Sequence, residues 1–241
     1  MKEAIGSVNK IKSLLTSLRK RLKPPAPPEG LEPLEVLTLS ILRRNATLAE
    51  ALDALRRLHE EFVDFNEMRV APPKDIVDLL AKNLPDARTK AEQLTQTLNR
   101  VYDHGNALDL EHMAEMGKRE LREHLRGALL LDEYAEAYMM SHLFDSPVLP
   151  VDERLVGKLK GEGYLCEGAT VAQARDLLEQ AVGARGRLEA CELLSQFAAE
   201  PVKASATGKA PRRKAAPARA PKAARAAKAK PVKKAGKRER R

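Results

Sequence analysis

Apolar residues recur at three- and four-residue spacings through most of the first 198 positions, and almost no stretch alternates with the period of two that a half-buried strand requires. That pattern limits the foldable part of the chain to packed helices. The densest example runs from Leu121 to Leu159, LREHLRGALLLDEYAEAYMMSHLFDSPVLPVDERLVGKL. Leu121, His124 and Leu125 share one face. Beyond a turn punctuated by Arg126, Gly127 and Ala128, the residues Tyr134, Ala135, Tyr138, Met139 and His142 share another. Pro147 and Pro150 then confine the backbone ahead of Asp152, which predicts a helix start at that aspartate.

Prolines and capping residues divide the rest. Residues 3 to 22 predict a basic amphipathic helix, with Ile5, Val8, Ile11, Leu14, Leu15, Leu18 and Leu22 on the side that packs on the body. Pro24, Pro25, Pro27 and Pro28 make a stiff connector. PLEVLTLSIL, from Pro33 to Leu42, is apolar enough for a central buried helix that starts on proline. Thr47 and Glu50 form a capping box for a helix running through Phe62 and Phe65. Ile76 to Leu80 predicts a short helix, Asp86 caps one reaching Tyr102, and Asp109 opens one that holds Leu110, Met113 and Met116. Thr170 caps a further helix, and Gly183 and Gly186 precede a last one carrying Cys191 and Phe197. The expected fold is all-α, about nine or ten helices with short loops. Aromatics are 3% of the chain, so leucine and alanine fill most of the core.

Charge separates the chain into unlike parts. Residues 201 to 241 carry a net +15, residues 1 to 23 a net +6, and residues 24 to 200 a net −12, so the overall +9 belongs to the ends. The stretch after residue 199, rich in lysine, arginine, alanine and proline, cannot bury enough apolar surface to offset its ordering entropy and is expected to be disordered. Its cations, among them Arg212, Arg213, Lys214, Arg219, Lys222, Arg225, Lys228, Lys230, Lys233 and Lys234, suit a polyanion bound through counterion release without base preference. In composition it resembles the tails of linker histones. No apolar run is long enough to span a bilayer, and the N-terminus does not read as a secretory signal. Cys166 and Cys191 suit a reducing compartment. A cytoplasmic, nucleoid-associated place is expected, or a nuclear one in a eukaryote.

The order of elements around the central stretch resembles the helix-hairpin-helix DNA glycosylase superfamily, of the endonuclease III and adenine glycosylase type. PLEVLTLSIL is similar to that family's proline-started buried helix, and VDERLVGKL to its V-D-T-H-V-x-R-V segment. The family's hairpin, L-P-G-[VI]-G-x-[KSW]-T-A, aligns with Ala128 at the proline, Leu129 and Leu131 at the glycines, and Tyr134-Ala135 at T-A. Both glycines are missing. The resemblance implies a helical glycosylase-like domain over residues 33 to 198. It follows a basic helix (1–23) and a connector (24–32), and it precedes the tail (199–241).

By the same resemblance, Asp152 takes the place of the catalytic aspartate, which stabilises an oxocarbenium-like sugar or activates water. Glu133 replaces the lysine with which bifunctional members form a Schiff base, so lyase activity is not expected. As an N-cap ahead of Arg154, Asp152 has an ordinary structural role too. Tyr134 and Tyr138 could line a pocket for a flipped base or simply pack in the core. Lys118, Arg119, Arg126, Lys158 and Lys160 are the body's expected phosphate contacts. Family members commonly close the fold with a four-cysteine iron–sulfur loop, for which two cysteines do not suffice. No metal or cofactor is assigned, and the five histidines show no ligand spacing. Three functions stay open: a DNA-binding protein of reduced catalytic capacity, a monofunctional DNA N-glycosylase, and a protein-interaction module with a nucleic-acid-binding tail. The expected partner is DNA, with RNA as the alternative, mainly through the tail and without a membrane. The oligomeric state is not legible.

Overall fold

A computed structural model describes residues 5–23, 30–183 and 186–201. Among these residues the fold is all-α, and the only β-type pairing is an isolated antiparallel bridge between Gly6 and Leu165. Two hydrophobic cores divide it into two lobes.

The first lobe comprises α2 (Pro33–Leu42), α3 (Leu48–Glu61), α4 (Phe65–Val70), α5 (Pro73–Leu80), α6 (Ala87–Gly105), a 3₁₀ turn (Glu111–Glu115), α7 (Lys118–Gly127) and α8 (Glu133–Leu143). Helix α2 is buried from Val36 to its end and packs against α3, α6 and α8, as its dense run of large aliphatics requires. Its start is fixed by proline in the first turn and by a reciprocal capping box between Glu32 and Glu35. Thr47 and Glu50 cap α3 in the same way.

Two helices expected as continuous are broken. The run from Thr47 through Phe65 stops at Glu61, because Asp64 accepts the Glu67 amide at 2.7 Å and starts α4 while Glu67 reaches back to the Val63 amide. The run from Asp109 through Met116 is only a 3₁₀ turn, since Gly117 becomes the N-cap of the next helix. Asp86 precedes α6 in a left-handed conformation and gives no side-chain cap.

The second lobe joins the two ends of the described chain. It contains α1 (Val8–Arg21), α9 (Glu153–Gly161), α10 (Val171–Val182) and α11 (Arg187–Ala199). Ile11, Leu14, Leu15 and Leu18 bury their stripe in this core, with α1 against α10 and α11. The helix starts at Val8 rather than at residue 3, because Ile5 and Gly6 pair with the segment after α9. There the Cys166 amide donates to the Ile5 carbonyl at 2.9 Å. A β-carbon on Gly6 would stand 2.7 Å from the Tyr164 carbonyl oxygen, so this approach requires glycine.

Candidate functional site between the lobes

The turn from α2 into α3 and the start of α9 meet where the lobes join. Asp152 stands at the N-cap of α9, where the Pro147 and Pro150 pattern placed it, and is 9% exposed. One carboxylate oxygen accepts the Leu155 amide at 2.9 Å, the ordinary capping bond. The other accepts the Asn45 amide from the first lobe at 2.8 Å. Asn45 answers through its side-chain oxygen, which accepts the Arg154 amide at 3.1 Å, and through its carbonyl, which accepts the Arg154 guanidinium at 3.0 Å. A left-handed backbone at Asn45, φ 57°, makes this exchange possible, and asparagine tolerates it. Burial raises the Asp152 pKa above the ordinary carboxylate value, opposed by the two amide bonds.

A cleft of about 220 Å³ opens beside this clasp, lined by Arg44, Asp132, Glu133, Tyr134, Asp152 and Arg175 among others. Arg44 pairs with Asp132 at 2.8 Å, and Arg175 with Glu133 at 2.8 Å. Tyr134 borders the cleft and is nevertheless 6% exposed, its hydroxyl pKa pushed well up by burial. Tyr138 lies deeper. Its ring stacks on His142 at 3.8 Å between centroids, with the Arg43 guanidinium 5.5 Å from the ring centre, so it packs in the interior and does not line the cleft. Arg43 also forms a buried ion pair with Glu192 of α11 at 2.6 Å, a second tie between the lobes.

The α7–α8 hairpin has its left-handed residue at Leu130, φ 57°, and not at either position aligned with a family glycine. Its amides are largely turned inward. Those of Ala128 and Leu129 donate to the His124 carbonyl at 2.9 and 3.1 Å, and that of Leu131 to the Leu125 carbonyl at 3.0 Å. Asp132 caps α8 by accepting the Ala135 amide at 2.8 Å. Glu136, buried on α8, is held by Arg122 at 2.8 Å and by Arg126, which locks the hairpin from the other side.

The body cations expected to meet phosphate are placed unevenly. Lys118 and Arg119 are exposed on α7, with Arg119 paired to Glu123 at 3.0 Å. Arg126 is engaged by Glu136, and Lys160 is partly exposed. Lys158 departs from the expectation. It is 3% exposed, pairs with Glu162 at 2.7 Å and donates to the Pro201 carbonyl at 2.7 Å, so it braces the second lobe. The tail cations Arg212 to Lys234 lie outside the described residues.

Several groups around this site were not legible in sequence. Arg43, Arg44 and Lys90 carry no local pattern that would mark them as buried or paired across the fold. A cluster of His104, His112 and His124 also escaped notice, because their spacings of eight and twelve match no ligand motif, and only the fold of α6, the 3₁₀ turn and α7 brings the rings together. Burial, then the neighbouring His104 and His112, lowers the His124 pKa. Both cysteines are free thiols, and burial pushes Cys191 up to about 12.

No family profile matches the chain, and no curated protein sequence matches it. Its all-α, multi-helical architecture matches the fold of solved DNA glycosylases. The chain is similar to endonuclease III in a trapped covalent DNA complex, with TM-score 0.59 and 16% identity, over 79% of this chain and 85% of that one. It is similar also to a thermostable thymine-DNA glycosylase, with TM-score 0.53 and 19% identity, over 85% and 90%. A third likeness is to the 3-methyladenine DNA glycosylase MagIII of H. pylori bound to 1,N6-ethenoadenine, with TM-score 0.53 and 16% identity, over 80% and 94%.

Proposed function

We propose that this chain is a DNA-binding protein of the base-excision-repair type, built on a glycosylase-like fold whose catalytic apparatus is reduced. The observation that carries the reading is the commitment of both Asp152 oxygens to backbone amides, one from each lobe. A carboxylate so engaged serves as a clasp between the lobes, with one acceptor site of each oxygen already taken by an amide.

The hairpin supports the same reading. A phosphate needs amides that point outward, and here Leu129 and Leu131 turn theirs inward while Asp132 and Glu133 at the start of α8 engage Arg44 and Arg175, cations that could otherwise meet it. Affinity for the polymer then comes mainly from the basic tail, with DNA as the ligand favoured by the fold and RNA as the alternative. Such a protein works on the nucleoid, or on chromatin in a eukaryote.

A second reading, a monofunctional DNA N-glycosylase, rests on one observation: Asp152, Tyr134 and Arg44 border the same cleft. The experiment that separates the two uses full-length protein on duplexes carrying uracil, alkylated, oxidised or mismatched bases, followed by alkaline cleavage at abasic sites. Retarded duplex without abasic product is expected, and borohydride should trap no adduct through the hairpin position, since Glu133 offers no amine. Release of one particular base, abolished in a folded, DNA-bound Asp152→Asn variant, overturns the first reading in favour of the second.

A further inference from the structure

His104 is in the last turn of α6, His112 in the 3₁₀ turn, and His124 in the last turn of α7. Their ring centroids form a nearly equilateral triangle with sides of 4.9, 5.0 and 5.3 Å, and one ligating nitrogen from each lies within 4.8 Å of the others. The Nε2 atoms of His112 and His124 are 3.4 Å apart. Two imidazole nitrogens at 2.0 to 2.1 Å from a tetrahedral Zn²⁺ stand about 3.3 to 3.4 Å from each other. In the absence of an ion the same two nitrogens are within reach of a long hydrogen bond to each other, which metal binding would replace. The rings are inclined at 36°, 68° and 78° to one another, so the three converge and do not form a stack.

The surroundings match a cation. His112 turns its other nitrogen, Nδ1, toward Asp109, 4.0 Å away, which places a carboxylate behind the ligand. His104 and His124 both sit at helix C-termini, where the peptide dipoles favour positive charge. His104 is exposed and the other two are half-buried, so a fourth position faces solvent. Imidazole donors of this kind suit late first-row divalent ions.

We propose that His104, His112 and His124 form a binding site for a divalent transition metal, zinc foremost, that fastens α6, the 3₁₀ turn and α7 together just ahead of the hairpin. Water or a small anion completes the tetrahedron. The ion carries no role in base chemistry, because the site is built from the first lobe alone and shares no residue with the cleft at Asp152.

The test uses tag-free, chelator-stripped full-length protein titrated with zinc chloride by calorimetry, with cobalt(II) as a spectroscopic probe. A saturable one-to-one isotherm is expected, together with a cobalt visible spectrum of tetrahedral type and a melting temperature that rises with zinc. His104→Ala, His112→Ala and His124→Ala should each weaken binding by about 100-fold, and Asp109→Asn by about tenfold, as outer partners of ligating histidines do. His59→Ala should leave it unchanged. His104 is exposed, so its variant keeps the fold even if the half-buried pair does not tolerate replacement. Failure to see one-to-one binding, or binding that survives His104→Ala at full strength, overturns the proposal.

Discussion

Lys90 is 2% exposed on α6, and its ammonium has no hydrogen-bond partner among the described residues. Burial lowers its pKa from 10.5 to about 8, with Asp86, Glu50 and Asp152 opposing the shift and Arg44 adding to it. The folded state therefore binds fewer protons than the unfolded one between about pH 8 and 10.5, so this group makes stability rise with pH across that window, and its cost is present in full below it. Lys90→Met removes the buried charge and keeps the volume. We predict that it stabilises the protein at pH 7 by on the order of 3 kcal/mol, and that the gain shrinks toward zero as pH rises through the window. Urea denaturation of both proteins at several pH values measures it. A gain that does not change with pH would mean that the ammonium is solvated or paired in the folded protein.

At the scale of elements, the α7–α8 hairpin is the informative case. Leu130 holds a left-handed backbone at φ 57° and is 39% exposed, so leucine is in a conformation that costs about 1 to 2 kcal/mol and little packing compensates it. Leu130→Gly should raise stability by about 1 kcal/mol, read as a higher denaturation midpoint with unchanged slope. A loss of stability would show that the exposed leucine makes contacts worth more than the strain. What the sequence disclosed and what it concealed divide along the same physical line. Thr47, Asp152 and Thr170 announce their helix starts because a cap is a bond to an amide two or three positions onward. The residue that turns left-handed in the hairpin is settled by how α7 closes on α8, and alignment to a glycine pattern put it one position away on either side. The Asn45–Asp152–Arg154 exchange and the three histidines depend on segments that meet only in the folded chain, so no local spacing reports them.

Taken whole, the molecule pairs an acidic body with basic ends, and nucleic-acid affinity is assigned mainly to one of those ends. Truncation after Pro201 keeps the carbonyl that Lys158 uses and removes the net +15. If the tail meets about 6 to 10 phosphates, the full chain should lose roughly 10³ to 10⁵ in DNA affinity between 50 and 200 mM salt, and the truncated one should bind weakly with a shallow salt dependence. Fluorescence anisotropy across a salt series decides it, and equal affinity of the two proteins would return the binding to the body. The shared core of α1 with α9, α10 and α11 bears on how the chain is made. Ile11, Leu14, Leu15 and Leu18 are synthesised long before their partners, which begin at Leu149. At synthesis rates of about 5 to 20 residues per second, that apolar stripe waits roughly 7 to 30 seconds for the residues that cover it in the folded chain, whereas the first lobe draws its core from one continuous stretch. Lys10, Lys12, Arg19, Lys20 and Arg21 give that uncovered helix a charged face until α11 is complete.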